Sequence, residues 1–391
     1  MNRRISNQLA VLVAAAFCCA SGAAVAKELD QFSDRRAVLH YYADGYRQIA
    51  GAPGPKQIDA VLDGRMNQLL DHLLQQLRRD APLSDAERDR LVRETFEHSL
   101  LAELVTPYEE WVKHEARIPL FKVRDKGIFG HAVDYDDMRM TWYIELSPIV
   151  QAGGVLMGID KLGHFLAQGF RYYEESRRLG TLPERTRYDA IRALGHRQET
   201  GQLGIATGGV YSFADLAANW AGMLFFMALF RDVEIEGERH AKYFEQDTSQ
   251  HYRRVRDFHW TEWTTPDWDE VLNPAHAQQR TLYRKVVDNL WRRPAPAPGK
   301  RDSICESYRS DPASYLGSSR PLRARSSYAL PARANAVAPY AIDVRQICGP
   351  KTAGAQSHSL ALRLVDARGT PYSSSPSRSL KSARYTGNSG P

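Results

Sequence analysis

Cysteine is scarce in this chain: there are four in 391 residues, and two of them, Cys18 and Cys19, sit side by side in an N-terminal apolar stretch. That is too few for a disulfide-framework scaffold. Also missing are GxSxG, HExxH, a phosphate-binding loop and the glycine fingerprint of dinucleotide-binding folds, so no standard motif declares a chemistry. Charge is absent from two strongly apolar stretches, Ile5 to Ala26 and Leu216 to Phe230. At 43% hydrophobic and 25% charged residues, the chain is too apolar for a disordered protein and too polar for a polytopic membrane protein. Its length allows two to three domains, or one large domain with appendages.

What is present first is an address. Arg3 and Arg4, the apolar run Leu9 to Ala20 and the small-x-small site Ala24-Val25-Ala26 read as a secretory signal over residues 1–26. Left uncleaved, the stretch from Ile5 is long enough to serve as an anchor. Cys18 and Cys19 make no lipoprotein signal, because Phe17 and Cys18 fill the preceding position where a small residue is wanted. Cys305 and Cys348 then remain in an oxidising compartment, periplasmic or otherwise extracytoplasmic, and a disulfide between them is the expected reading. Two free thiols, or a bond to a partner, are the alternatives.

Charge is unevenly spread. Residues 291–391 hold sixteen basic and five acidic side chains, a net +11, whereas the whole chain is only +6. The signal adds two arginines, so residues 27–290 form an acidic body. Nucleic acid is therefore an unsuitable partner. The basic tail would be either simply solvated or in contact with anionic lipid headgroups at a membrane surface or with cell-wall polymer.

Along the body, Ile58, Leu62, Met66, Leu70, Leu73 and Leu77 recur at helical spacing, and Pro82 stops that helix. Ser84 to Glu87 is a capping box opening a second helix, which Pro107 is expected to end. A loop and short hairpin are expected over 118–146, and helix again from Ile149 to Leu179 and from Tyr188 to Leu194. After the glycine-rich loop Gly201 to Gly209, the uncharged run Leu216 to Phe230 is short for a membrane span and reads as a buried core helix. A last helix fits Gln278 to Trp291. The expected fold is mainly α: a helical bundle-like body over 27–290 with one small β-hairpin, a Pro-rich linker at 291–300, a disulfide-pinned extension at 301–348, and a disordered basic tail at 349–391.

The informative anomaly is a pair of matching polar insertions. Asp160 and His164 stand at i and i+4 in one apolar segment, and Asp215 and Asn219 at the same spacing in another. A buried carboxylate costs several kcal/mol unless paired, so the economical arrangement has the two faces meeting. Gly163, Ala167, Ala218 and Gly222 would let the backbones approach, and Ser212 is placed to cap the second helix. Asp160, Lys161, His164 and Phe165, followed by Ser212, Asp215, Ala218, Asn219 and Gly222, resemble the motif pair of the VanZ-like family and of small bacterial envelope proteins that share it. The match covers roughly 65 of 391 residues. VanZ-like proteins cross the membrane several times, whereas the helices here are shorter and the N-terminal ones amphipathic. Tyr143 to Pro148 and Trp268 to Pro274 are similar to elements of exported bacterial proteins of unassigned function. Neither resemblance implies a characterised reaction.

Three readings of the cluster stand side by side. In the first, His164 is a general base oriented by Asp160, with Asp215 and Asn219 positioning water or a polar substrate, and Lys161, Ser212, Trp268 and Glu270 binding that substrate. This implies acid–base or metal-assisted hydrolysis of an envelope component, lipid or cell-wall polymer. In the second, Asp160, His164 and Asp215 with Glu199 hold a divalent metal such as zinc, manganese or calcium, and His196 with Glu199 is a further ligand pair. In the third, the four polar residues are a hydrogen-bonded network that fixes helix register in a non-catalytic binding or structural protein. Trp260, Trp263 and Trp268, beside Asp269, Glu270 and Asn273, would either stack on sugar or pin an irregular segment to the body. Glu145 would line the same cavity or stand exposed.

Overall fold

The computed structural model describes residues 55–78, 83–96, 106–120, 148–201, 203–205, 210–235, 237–247, 251–269, 275–277, 280 and 340–342. The signal, Glu145, Glu270, Asn273, the linker, both cysteines Cys305 and Cys348, the tail, and nearly all of the expected 118–146 hairpin and 278–291 helix lie outside the described residues. What is described is mainly helical, with several small antiparallel strand pairs.

Helix α1 (Pro55–Leu77) buries the predicted stripe, with Ile58, Leu62, Met66, Leu70 and Leu73 fully enclosed. Each such side chain contributes about 1.5–3 kcal/mol on leaving water. Helix α2 (Asp85–Phe96) opens on the predicted capping box: the Ser84 backbone N–H donates to Glu87 Oε2 at 2.9 Å, and the Glu87 N–H to Ser84 Oγ at 3.2 Å. Pro107, expected to end this helix, instead opens another, α3 (Pro107–His114). Proline suits a first helical turn because its missing N–H is one the helix would leave unpaired there. Thr106 and Glu109 form the capping box around it, and Glu109 is buried.

The helix expected from Ile149 is corrected at its start. Residues up to Gly158 form an antiparallel hairpin of β1 (Ile149–Ala152) and β2 (Val155–Gly158). Gly153 and Gly154 both take positive φ, 58° and 81°, which a two-residue hairpin turn requires and a helix cannot use. The Gly153 N–H donates to Asp59 Oδ1 at 2.8 Å, tying the turn to α1. Helix begins only at α4 (Asp160–Gly163), passes through a π-helical turn (His164–Gln168), and runs on as α5 (Gly169–Arg178).

Helix α6 (Glu184–Thr200) is longer than predicted and carries His196 and Glu199 within it. Strand β3 (Val210–Ser212) leads directly into α7 (Phe213–Ala228), the expected core helix, of which thirteen residues are buried. No helix among the described residues is long and apolar enough to cross a membrane. Two further hairpins follow, β4 (Val233–Ile235) with β5 (Glu238–His240) and β6 (Phe244–Gln246) with β7 (Tyr252–Arg254). Strand β3 pairs with β8 (Ala275–Ala277), which pairs with β9 (Tyr340–Ile342).

The tryptophan segment is pinned down. Asn67 on α1 meets the Phe258 backbone on both sides, accepting its N–H at 2.8 Å and donating to its carbonyl at 3.0 Å. Asp63 accepts the Trp260 N–H at 2.8 Å. Trp260, Trp263 and Trp268 are at most 2% exposed and surround Phe165, with ring centroids 5.1–5.9 Å from it. The sugar-stacking surface considered for these three rings is therefore absent; they are core.

Candidate functional site

The two polar insertions meet, and the backbone explains how. On α7, Gly222 lies against the π-helical turn: a Cβ there would fall 1.9 Å from the Phe165 carbonyl oxygen, and one on Gly169 would fall 2.6 Å from the Gly222 Cα. The helices touch backbone to backbone at a Gly169–Gly222 contact of which only Gly222 was expected. Gly163, expected to serve the same contact, instead makes room for Glu109 of α3, whose Oε2 would sit 2.1 Å from an added Cβ.

Ser212 caps α7 by accepting the Asp215 N–H at 3.1 Å, which sets Asp215 in the first turn, where the helix dipole favours negative charge. From α4, the Lys161 ammonium donates to Asp160 Oδ2 at 2.8 Å and is also paired with Asp215 Oδ1. Asp215 Oδ2 lies 3.2 Å from His164 Nε2. The other ring nitrogen, Nδ1, is 3.0 Å from the Asn219 side chain. With its NH2 turned to face acceptors, the Asn219 amide donates to His164 Nδ1 at 3.0 Å and to the Asp215 carbonyl at 3.1 Å. Its oxygen is then left for the Tyr172 hydroxyl, 3.4 Å away. This orientation makes Nδ1 an acceptor and puts the ring proton on Nε2, pointing at Asp215. Burial holds the Tyr172 phenol well above its ordinary range, so it stays a neutral donor.

Burial is nearly complete. Lys161, Asp215 and Asn219 are sealed, Asp160 is 4% exposed, and the His164 side chain is the most open of the five, at 12%. Lys161 and Ser212, expected to bind substrate, are enclosed and already engaged, one between two carboxylates and the other as a helix cap. Trp268 is buried in the aromatic core, and Glu270 lies outside the described residues.

The metal reading can be tested on the same geometry. One ligand atom from each of Asp160, His164 and Asp215 lies within 4.8 Å of the others. Glu199 is engaged elsewhere, accepting the Ser212 N–H at 3.2 Å, and the trio forms without it. A divalent ion would have to displace the Lys161 ammonium, which already supplies positive charge between the carboxylates. The donor set therefore fits a lysine better than a metal. His196, the other residue of the expected ligand pair, stacks its ring on Tyr211, and its Nδ1 is hydrogen-bonded to the Tyr211 hydroxyl.

A cleft of about 1300 Å³ lies elsewhere, walled by α6, the β4–β5 hairpin and the Trp263–Trp268 segment. Helix α7 lends it Ala217, Trp220, Ala221 and Leu224, which helical periodicity sets on the opposite side from Asp215, Asn219 and Gly222. His164 does not line it.

Sequence reasoning missed Lys161 as a core residue, because lysine ordinarily marks a solvated face. It also missed Tyr172, whose helical register with His164, two turns on, was the available signal. Comparison of the chain with protein-family models, with curated proteins and with solved structures found no match.

Proposed function

We propose that this chain is an exported envelope protein, with residues 1–26 as its signal, in which the Asp160/Lys161/His164/Asp215/Asn219 network is a polar lock between two helices and not a catalytic centre. The body is a helical bundle-like frame around that lock, and its role is non-catalytic binding or scaffolding at an envelope component in the periplasm. One observation carries the reading: both ring nitrogens of His164 are taken, Nε2 by Asp215 and Nδ1 by Asn219. A general base needs a free nitrogen within reach of its substrate. The Lys161 ammonium between the carboxylates supports the same reading, since it satisfies their charge without a ligand.

A second reading keeps acid–base hydrolysis at His164. It is favoured by the π-helical turn that begins at this residue, a distortion frequent at functional sites, and by the partial exposure of its ring. Replacing His164 separates the two. As a lock member, His164→Ala leaves Asp215 and Asn219 without partners and lowers stability by about 1–3 kcal/mol in urea unfolding. As a catalytic base, the same variant would keep wild-type stability and lose turnover of an envelope substrate.

A further inference from the structure

We infer that a small cavity between α1, the end of α2 and the start of α3 binds a monoanionic amphiphile, a carboxylate on a short alkyl body. The site goes beyond the lock and shares none of its residues. The cavity holds about 340 Å³, at the lower end of the roughly 300–1000 Å³ usual for small-molecule pockets. Its floor is apolar: Leu69 of α1, the buried Phe96 that closes α2 and the buried Tyr108 in the first turn of α3. The Tyr108 hydroxyl is already engaged, donating to the Leu62 carbonyl at 2.8 Å.

The mouth selects the head of the ligand. Arg65, Gln68 and His72 stand at i, i+3 and i+7 on α1, along one stripe of the helix. No carboxylate lines the cavity among the described residues, although the body as a whole is acidic. The half-buried Arg65 guanidinium has no ion pair there. Its one hydrogen bond is long, Nη1 to Gln68 Oε1 at 3.4 Å, and its enclosed Nε meets no acceptor. The Trp111 ring steadies it from one side, with its centroid 5.5 Å from the guanidinium carbon. Asp63 and Asp71 on the same helix are taken, the first by the Trp260 N–H and the second by Arg254 at 3.0 Å. The half-buried Arg88, Arg254 and Arg256, by contrast, each have a carboxylate, in Asp85, Asp71 and Glu262. Withdrawing a charge from water without an opposite charge is costly, so Arg65 is placed for an anion from outside. Its planar fork suits the two oxygens of a carboxylate, and the Gln68 amide has N–H donors for the same head. One guanidinium balances one negative charge, and the apolar floor suits a hydrocarbon body that a bare anion lacks.

The test is isothermal titration of the full chain with octanoate, with acetate, octanol and octylammonium as controls that remove the body, the charge and its sign in turn. The expected result is saturable octanoate binding, about tenfold or more tighter than any control. Arg65→Gln and Gln68→Glu should each weaken it about tenfold or more, the second because a carboxylate at i+3 occupies the guanidinium. Gln68 is exposed, so if Arg65→Gln unfolds the chain, Gln68→Glu decides the matter. No octanoate binding, octylammonium or octanol binding as tight as octanoate, or octanoate binding that Gln68→Glu leaves unchanged would overturn the proposal. Binding to phosphatidylglycerol vesicles without octanoate binding would assign the anion to a lipid surface and overturn it too. A chain that binds no octanoate yet is destabilised by His164→Ala would lose this site and keep the lock.

Discussion

The two sides of α7 hold polar groups under opposite conditions. On one side, Asp215 and Asn219 are sealed and meet Lys161 and His164 across a backbone-to-backbone helix contact. On the other, Trp220 faces a cleft whose ion pairs, such as Arg239–Glu234, stand largely in water. A charged pair near solvent is worth about 0–1 kcal/mol, whereas removing one partner of a buried pair costs about 3–5 kcal/mol. Stability should therefore be concentrated on the first side.

The contrast can be broken or sharpened by substitution. The largest effect is expected from Lys161→Met, which strands two buried carboxylates and should lower the unfolding free energy by about 3–5 kcal/mol in urea titration. Gly222→Ala comes next: its methyl would collide with the Phe165 carbonyl, a backbone atom that cannot swing away, and a cost of about 1–3 kcal/mol or more is expected in thermal unfolding. Ser212→Ala removes the α7 cap and should cost about 0.5–2 kcal/mol by the same measurement. On the cleft side, Arg239→Ala should change stability by less than about 0.5 kcal/mol.

A pH effect should be the smallest. Burial holds the His196 imidazolium below its usual range, so the unfolded chain takes up this proton more readily than the folded one. Its contribution to stability is full above the unfolded value near 6.5 and falls as the pH drops through the lower folded value. Stability measured from pH 8 to 5 should decline less in His196→Gln than in the parent.

Much of the lock is legible in the residues themselves. Asp160 with His164 and Asp215 with Asn219 share helix faces by spacing alone, and the cost of burying carboxylates predicts that those faces meet. The α1 stripe and the Ser84 capping box are equally readable, because both arise within a single element. The remainder depends on context that spacing does not carry. Ile149 to Gly158 is an apolar run whose period fits a helix or a buried strand, and Gly153-Gly154 decides between them only once the turn is seen. Pro107 serves as a stop or a start according to whether Thr106 can cap. Lys161 is hidden because its partner on α7 lies 54 positions away, and the tryptophans because only the fold shows them closing around Phe165.

The most direct test is a double-mutant cycle on Lys161→Met and Asp215→Asn by equilibrium urea unfolding. A lock between the helices predicts strong coupling, with the double variant losing less stability than the two single losses combined, by about 1–3 kcal/mol. Single losses below about 0.5 kcal/mol that simply add would mean the two side chains do not hold the helices together.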